Sequence, residues 1–389
     1  MSSVIQAREL FTPIERVERP LLFLEDGVVI NVSSSASREI PRGARVVDLS
    51  DATVVPGFID MHIHGGAGHD VMEGSADALP AVEKLLCQHG VTTYFPTTVT
   101  APVDQTLAAL ERLADAIEKT REAGGVGRAK PAGIHLEGPF ISHLRPGVHP
   151  PADLLPPTLE MFERFWQASR GHIKVLTIAP ELEGARVVIE EATRRGVCVS
   201  MGHSDADLPA AQAGVAAGVR HATHMFNAMR PLGHRDPGIL GEALMDERLS
   251  AEIIADGIHV DPLIVSLFLR VKGAETAVLV TDATAATGMP DGHYRLGSLE
   301  VDVKDGKCLV KGKLAGSVLT MDKAVRNVVK FANWDLQRAV RLATLNPART
   351  TGLPAKAGML VPGAVADIVA LSPKGDVLQT IVRGQIAQA

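Results

Sequence analysis

The chain has 389 residues, of which 46% are hydrophobic and 22% are charged, and its formal net charge is −6. This composition is typical of a soluble globular protein, and the length fits a large α/β barrel with a small companion domain. A negative charge without any run of lysine or arginine argues against nucleic acid and anionic membranes as partners.

The cysteines and the N-terminus bear on the compartment. Cys87, Cys198 and Cys308 are widely spaced and odd in number, which argues against a disulfide framework and favours a reducing environment. The first residues, MSSVIQARELF, lack the apolar core of a signal peptide. No apolar stretch approaches the roughly 18–20 residues that span a bilayer. We therefore expect a cytoplasmic protein.

Both ends of the chain have the pattern of short β-strands. Two apolar runs flank Asp26-Gly27, a strong hairpin signal, and two more flank the turn at 373–376. The four runs are Leu21–Leu24, Val28–Val32, Ala366–Leu371 and Val377–Val382. We predict that residues 1–55 and 356–389 pair into one small β-sandwich domain.

The middle of the chain, residues 56–355, alternates between short apolar runs and helical patterns. One helical pattern has an apolar face made by Leu107, Leu110, Leu113 and Ile117. Eight candidate strands alternating with helices predict a (β/α)8 TIM-like barrel. The candidate strands are Val54–Met61, Thr92–Pro96, Ala132–Leu136, Ile173–Ile178, Val197–Met201, Val219–Thr223, Ser250–Ala255 and Ala277–Thr281.

Histidines and carboxylates follow six of these eight strands. The active sites of such barrels lie at the C-terminal ends of the strands, so these side chains are expected to meet at one mouth. The residues, in strand order, are His62 and His64, Glu137, His203, His224, His259 and Asp282.

This set of side chains predicts a metal-dependent hydrolase. Histidine and carboxylate ligands suit zinc or another borderline divalent ion. His62 and His64 alternate on a strand, so both rings face one side. Glu137 has two oxygens and is able to bridge two ions. Asp282 is positioned to bind metal, to accept a proton from water whose pKa the ion lowers towards ~7, or to do both.

Each of these residues also has an ordinary structural interpretation. A single histidine in a barrel is more often a hydrogen-bonded structural residue than a ligand, and His-x-His alone is a weak motif. An aspartate directly after a strand commonly caps the next helix. The coincidence at six strand ends favours the metal site.

Several segments resemble the amidohydrolase superfamily and, within it, the N-acetylglucosamine-6-phosphate deacetylases. The first strand carries the superfamily signature in Pro56–Gly66. The resemblance extends from about residue 20 to residue 385. The other matching segments are His135–Phe140, Gly202–Ser204, Thr223–Met229, Ala255–His259, Val280–Ala283, Ala315–Ser317, Asn346–Arg349 and Gly363–Asp367.

The resemblance implies a role for each residue of the metal set. Glu137, His203 and His224 match the main metal site. His62 and His64 match a second site that some members lack, so one or two ions, Zn²⁺ or alternatively Fe²⁺, are expected for each subunit. Asp282 matches the catalytic acid and base.

The resemblance also implies the substrate contacts. His149 matches a residue that contacts the acetyl carbonyl and stabilises the oxyanion. The phosphate and sugar contacts match Asn227, Ala228, Arg235 and His259. In the family the arginine reaches into the partner's site, which implies a homodimer. From the residues alone, a solvated loop charge is the favoured interpretation of Arg235, and the ordinary interpretation of His149 is a loop histidine without a catalytic role.

The expected reaction is hydrolysis of N-acetylglucosamine 6-phosphate to glucosamine 6-phosphate and acetate. Alternatives are deacetylation of the epimeric N-acetylgalactosamine 6-phosphate, hydrolysis of other N-acyl or cyclic amides, and a non-catalytic scaffold. Relatives acting on cyclic amides usually carry a bridging lysine where this chain has Glu137, and a scaffold typically loses ligands that are retained here. Ser142–Pro146 departs from the lysine-rich stretch of many members.

Overall fold

The computed structural model describes residues 3–123 and 127–387. The chain begins with five strands, of which β3 and β4 form the predicted hairpin. Asp26 and Gly27 turn it with φ angles of 49° and 77°, as tight two-residue hairpin turns require. The strands are β1 (Ser3–Phe11), β2 (Arg16–Glu18), β3 (Pro20–Glu25), β4 (Val28–Ser34) and β5 (Arg45–Pro56).

Eight parallel strands in the described part of the chain form the predicted barrel, in the order β6, β9, β11, β12, β13, β14, β15 and β16. Hydrogen bonds from Asp282 N–H to His62 O, 2.9 Å, and from His64 N–H to Ala283 O, 2.8 Å, join the last strand to the first. The strands from the first barrel strand onward are β6 (Phe58–Ile63), β7 (Gly65–Gly66), β8 (His69–Asp70), β9 (Val91–Thr98), β10 (Lys130–Pro131), β11 (Ile134–Glu137), β12 (Ile173–Ile178), β13 (Cys198–Met201), β14 (His221–Ala222), β15 (Ser250–Ile254) and β16 (Ala277–Val280).

Helices cover the outside of the barrel. The predicted apolar face of the second helix is turned inward, with Leu110, Leu113 and Ile117 buried in the main core. A short 3₁₀ helix spans Pro151–Asp153. The α-helices are α1 (Ala78–Gln88), α2 (Val103–Ala123), α3 (Leu159–Ala168), α4 (Ala185–Arg194), α5 (Leu208–Ala217), α6 (Gly238–Met245), α7 (Pro262–Thr276), α8 (Met321–Ala332), α9 (Leu336–Leu342) and α10 (Leu345–Thr350).

A four-stranded antiparallel sheet is inserted after the last barrel strand. It consists of β17 (Gly292–Leu296), β18 (Leu299–Lys304), β19 (Lys307–Val310) and β20 (Lys313–Leu314). Leu296, Val301 and Cys308 of this sheet pack with Val99 of the barrel in a separate apolar cluster. The insertion is therefore anchored directly above the C-terminal ends of the barrel strands.

The two ends of the chain form one β domain, as predicted. The last strands are β21 (Ile368–Leu371), β22 (Val377–Val382) and β23 (Gln385–Ile386), and β21 pairs antiparallel with β5. Strand β4, at the other edge of the sheet, also contacts the C-terminal part of the chain, since Val29 N–H donates to Ala364 O at 2.9 Å. The sheet thus folds over its own apolar cluster. The exact domain bounds, 1–55 with 356–389, stay a prediction.

Cys87, Cys198 and Cys308 are free thiols. Within the described residues, no helix has the length and apolar character needed to cross a bilayer. The cytoplasmic location stays a prediction.

A buried carboxylate between helix α1 and strand β9 should make stability depend on pH. Glu83 accepts a hydrogen bond from the Tyr94 hydroxyl at 3.2 Å and lies 3.7 Å from Arg128. Burial raises the pKa of Glu83 from 4.5 to about 7. The folded state holds the proton of Glu83 more tightly than the unfolded state does. The contribution of this proton to the free energy of unfolding is therefore fully present below pH 4.5 and is lost as the pH rises through 7.

We expect Glu83→Gln to remove that part of the pH dependence. The wild-type free energy of unfolding should fall by roughly 3 kcal/mol more than that of the variant between pH 5 and pH 8. Urea unfolding at several pH values measures this, with the exposed Glu111→Gln as the control. Parallel curves for wild type and Glu83→Gln would contradict the prediction.

Candidate metal centre and active site

A cavity of about 130 Å³ opens at the C-terminal ends of the barrel strands. Nine of the eleven residues predicted for the site line it. Val99, Leu296 and Leu314 contribute apolar walls, the last two from the inserted sheet. The nine are His64, Glu137, His149, His203, His224, Asn227, Ala228, His259 and Asp282. The expected clustering at one mouth is therefore what the fold produces.

The Glu137 carboxylate lies at the centre of the histidines. It is 2% exposed, at the last position of strand β11. Each carboxylate oxygen faces the Nε2 atoms of several rings. The distances from Oε1 are 3.5 Å to His62, 3.2 Å to His203 and 3.1 Å to His224, and those from Oε2 are 3.3 Å to His64 and 3.5 Å to His149.

Three of these rings are held with their other nitrogen, Nδ1, against an oxygen acceptor. The Nδ1 atom of His62 lies 2.9 Å from Glu252, that of His64 lies 3.0 Å from Thr97 O, and that of His203 lies 3.1 Å from Arg145 O. Each Nδ1 therefore carries the hydrogen, which leaves a lone pair on Nε2. Lone pairs on several nitrogens thus point at a carboxylate.

Such an arrangement requires a cation at its centre, because lone pairs of neutral imidazoles repel a carboxylate. His62 Nε2 is buried and has no hydrogen-bond partner among the described residues. His62, His64 and Glu137 offer ligand atoms within 4.8 Å of one another. Nitrogen and carboxylate donors in this number fit a divalent ion. One group that would hold an ion consists of His203, His224 and Glu137, and a second consists of His62 and His64.

Protons replace the cation when none is bound. Burial alone would lower the pKa of His64, but Asp282 and Glu137 raise it to about 9. Burial alone would raise the pKa of Glu137, yet the neighbouring imidazoles, His62 first, hold it well below its usual range. The site is therefore electrostatically built for positive charge beside Glu137.

Asp282 lines the cavity and lies beside the histidine pair His62 and His64. Its Oδ1 is 3.1 Å from His64 Nε2 and 3.6 Å from His62 Nε2. Burial would raise the pKa of Asp282, but the hydrogen bond from His64 and the imidazole charges hold it below the usual value. The carboxylate is thus ionised and able to accept a proton at neutral pH.

The backbone at these strand ends is bent away from the strand direction. His203 and Asp282 have φ angles of 46° and 50°, in the left-handed region that side chains with Cβ rarely occupy. Gly316 packs against this bend, and a Cβ there would lie 2.9 Å from Asp282 O. A residue in this conformation costs about 1–3 kcal/mol, and such strain is typical of functional positions. Here the bend directs the side chain toward the cavity.

His149 differs from the metal-facing rings in its tautomer. The backbone N–H of Thr100 donates to His149 Nδ1 at 3.2 Å, so Nδ1 accepts and Nε2 carries the hydrogen. The ring therefore presents an N–H donor to the cavity rather than a lone pair. A donor at this position suits an oxygen that gains negative charge, which is the role the resemblance implies.

Three of the four predicted sugar and phosphate contacts, Asn227, Ala228 and His259, line the cavity. His259 lines the cavity, and its Nδ1 lies 2.7 Å from Asp256. Burial alone would lower the pKa of His259, but the hydrogen bond to the Asp256 carboxylate and its charge raise it. Asn227 Nδ2 donates to Met225 O at 3.2 Å in the same loop. Arg235 is exposed on the loop before helix α6 and does not line the cavity of its own chain.

Two groups of residues around the site did not stand out in the sequence. Glu252 and His221 lie inside apolar strands. Glu252 binds His62 Nδ1 from behind the site, and His221 binds Glu252 in turn. Leu296 and Leu314 come from the insertion. The Ser142–Pro146 segment supplies the Arg145 carbonyl that orients His203.

The amidohydrolase family matches residues 53–387 of the chain. The chain belongs to the amidohydrolase family. Its members are hydrolases that use a divalent metal, which agrees with the ligand groups of this site.

Full-length relatives of this amidohydrolase act on two epimeric sugars. It is 34% identical to the N-acetylglucosamine-6-phosphate deacetylase of Bacillus subtilis (strain 168), over 99% of this chain and 97% of that protein. It is 37% identical to the N-acetylgalactosamine-6-phosphate deacetylase of Escherichia coli O157:H7, over 100% of both chains.

A solved structure has the same architecture. A mutant of the N-acetyl-D-glucosamine-6-phosphate deacetylase from Mycobacterium smegmatis, in complex with N-acetyl-D-glucosamine 6-phosphate, superposes with a TM-score of 0.92 at 36% identity. The match covers 100% of both chains. The predicted barrel and terminal β domain of this amidohydrolase are therefore confirmed.

Proposed function

We propose that this amidohydrolase hydrolyses the acetamide of N-acetylglucosamine 6-phosphate to give glucosamine 6-phosphate and acetate. The observation that carries the proposal is the convergence of Glu137, four metal-facing imidazoles and Asp282 on one cavity, beside a histidine N–H donor. Deacetylases of this sugar phosphate are similar to the chain over its whole length, which supports the choice of substrate.

The proposed ions are held by two sets of ligands. Glu137, His203 and His224 would hold the ion of the main site, and His62 and His64, together with Glu137, would hold that of a second. Zn²⁺ fits nitrogen-rich ligand sets of this kind best, and Fe²⁺ is the alternative. A bound ion would lower the pKa of water towards ~7, which makes hydroxide available at neutral pH. Metal analysis of the purified protein measures the identity and number of ions.

Asp282 is the proposed proton carrier of the reaction. As an ionised carboxylate within 3.1 Å of His64, it accepts a proton from the attacking water. The same proton then passes to the amide nitrogen as the bond to the acetyl carbon breaks, so that the amine leaves in neutral form. Acetate and the free amino sugar phosphate result.

His149 is proposed to bind the acetyl oxygen. Its Nε2–H points into the cavity, where it donates to the carbonyl oxygen as negative charge develops there. Glu137 Oε2, at 3.5 Å, occupies this donor only weakly before substrate binds. His259, Asn227 and the Ala228 amide are proposed to bind the sugar and its phosphate.

The C4 epimer is a second candidate substrate, favoured by the full-length similarity to the Escherichia coli enzyme. Comparing kcat/KM for N-acetylglucosamine 6-phosphate and N-acetylgalactosamine 6-phosphate, each with and without the phosphate, decides between them. We expect the highest value for the gluco phosphate. A higher value for the galacto phosphate would replace our substrate assignment while leaving the mechanism intact.

The exposed position of Arg235 favours a homodimer in which this residue binds the phosphate in the partner's site. Losing a charged hydrogen bond to phosphate costs roughly 1.5–3 kcal/mol, so Arg235→Ala should raise KM for the phosphorylated sugar about 10- to 100-fold. The KM for unphosphorylated N-acetylglucosamine should hardly change. Arg42→Ala, which removes an exposed arginine of the terminal domain, is the control.

Mixing Asp282→Asn, which should be inactive, with Arg235→Ala, which should have a raised KM, tests whether Arg235 acts across the dimer. Activity is measured at a substrate concentration well below that raised KM, where Arg235→Ala alone is nearly inactive. In a mixed dimer of Asp282→Asn and Arg235→Ala chains, one site carries both defects and the other carries neither. Random pairing therefore restores roughly a quarter of the sites if the arginine comes from the partner. If it acts within its own chain, mixing restores no activity, and our dimer proposal is wrong.

A further inference from the structure

Glu252 lies directly behind the two proposed metal sites. It is the third residue of strand β15 and its side chain is fully buried. It lines no part of the cavity, so it contacts neither substrate nor the reacting water. Its effect on the reaction must therefore come through other residues.

The Glu252 carboxylate accepts three N–H groups. Its Oε2 lies 2.9 Å from His62 Nδ1 and 3.0 Å from the backbone N of His224. Its Oε1 lies 3.1 Å from His221 Nε2. One buried carboxylate thus connects a ligand of the second metal site with the backbone of a ligand of the main site.

These contacts determine the tautomer and direction of His62. Because Nδ1 donates to Glu252, the lone pair of the ring resides on Nε2, the atom that faces Glu137 at 3.5 Å. The bond to the His224 backbone holds a residue whose φ angle of 21° is unusual for an L amino acid. Carboxylates that bind the far nitrogen of a metal-ligating histidine commonly orient it and strengthen its ligation.

We propose that Glu252 is a positioning residue that holds His62 and His224 ready for metal binding and couples the two halves of the centre. His221 extends the support outward, since its Nδ1 lies 2.7 Å from the Ser250 hydroxyl. This inference rests on the metal centre described under the proposed function. It assigns no step of the reaction to Glu252 itself.

Glu252→Gln tests the proposal with little change in volume. The amide offers one oxygen for three donors, and its NH₂ group favours the opposite His62 tautomer, with hydrogen on Nε2 and no lone pair for a metal. Zinc affinity of the metal-free protein, measured by competition with a chromophoric chelator, should fall roughly 10- to 100-fold. Glu83→Gln, which changes another buried glutamate far from the site, should bind zinc like wild type.

The outcomes separate this proposal from the proposed function. Wild-type protein that takes up no zinc or iron would overturn the metal centre and this inference with it. Zinc binding by folded Glu252→Gln with wild-type affinity would overturn this inference alone.

A measurement on the wild type covers the case in which Glu252→Gln does not fold. Long-range ¹H–¹⁵N spectra of protein with ¹⁵N-labelled histidine report which ring nitrogen carries hydrogen, and His62→Gln identifies the signals of His62. We expect the Nδ1–H form in the zinc-loaded protein. The Nε2–H form at His62 would overturn the inference.

Discussion

Asp282→Asn should lose nearly all turnover while it keeps its metal. Asparagine retains the size of the side chain and an oxygen beside His64, but it cannot accept the proton of the attacking water. General acid and base catalysis typically contributes 10²- to 10⁴-fold, so kcat for acetate release should fall by about that factor. Metal content, measured by elemental analysis, should match that of wild type.

The exposed Asp302→Asn in the inserted sheet is the matched control and should have wild-type kcat. Normal turnover of Asp282→Asn would show that another group carries the proton. Loss of metal together with turnover would instead assign Asp282 to the ligands, a role that its 3.1 Å distance from His64 also allows.

Glu137→Gln should abolish both metal binding and activity. The carboxylate is the only group of the centre that faces all five imidazoles within 3.5 Å among the described residues, and the amide removes its charge. Without a bound ion, the pKa of water stays far above neutral pH, so acetate release should fall by at least about 10³-fold.

Elemental analysis of the purified variant and the acetate assay measure the two effects together. Glu83→Gln is again the control, because it removes the charge of a different buried carboxylate. A Glu137→Gln protein with a full complement of metal would contradict the shared role that we give to this residue.

The sequence predicted the barrel and most of the cavity because strand periodicity and side-chain position are local properties. Six of the eight apolar runs were followed by a histidine or carboxylate of the site, as at Glu137, His203 and Asp282. In a parallel barrel all such ends meet at one rim. The positions of these residues in the fold therefore followed from the chain order alone.

Other features depend on contacts that the sequence pattern does not contain. Glu252 is separated from His62 by 190 residues and lies in a strand that otherwise has the pattern of an apolar core, so only the closed barrel brings the two together. The tautomers of His62 and His149 depend on backbone and side-chain partners from neighbouring strands. Arg235 does not line the cavity of its own chain, so the phosphate contact that we propose for it would need a second subunit and does not follow from the fold of one chain.

The central claim is that the centre around Glu137 and Asp282 hydrolyses the acetamide of an amino sugar 6-phosphate. The most direct test is to remove metal from the purified protein, restore zinc or iron separately, and measure acetate released from N-acetylglucosamine 6-phosphate. We predict release of acetate and glucosamine 6-phosphate in equal amounts with at least one metal, and none from the metal-free protein. Absence of acetate with both metals, from protein that has bound them, would contradict the account.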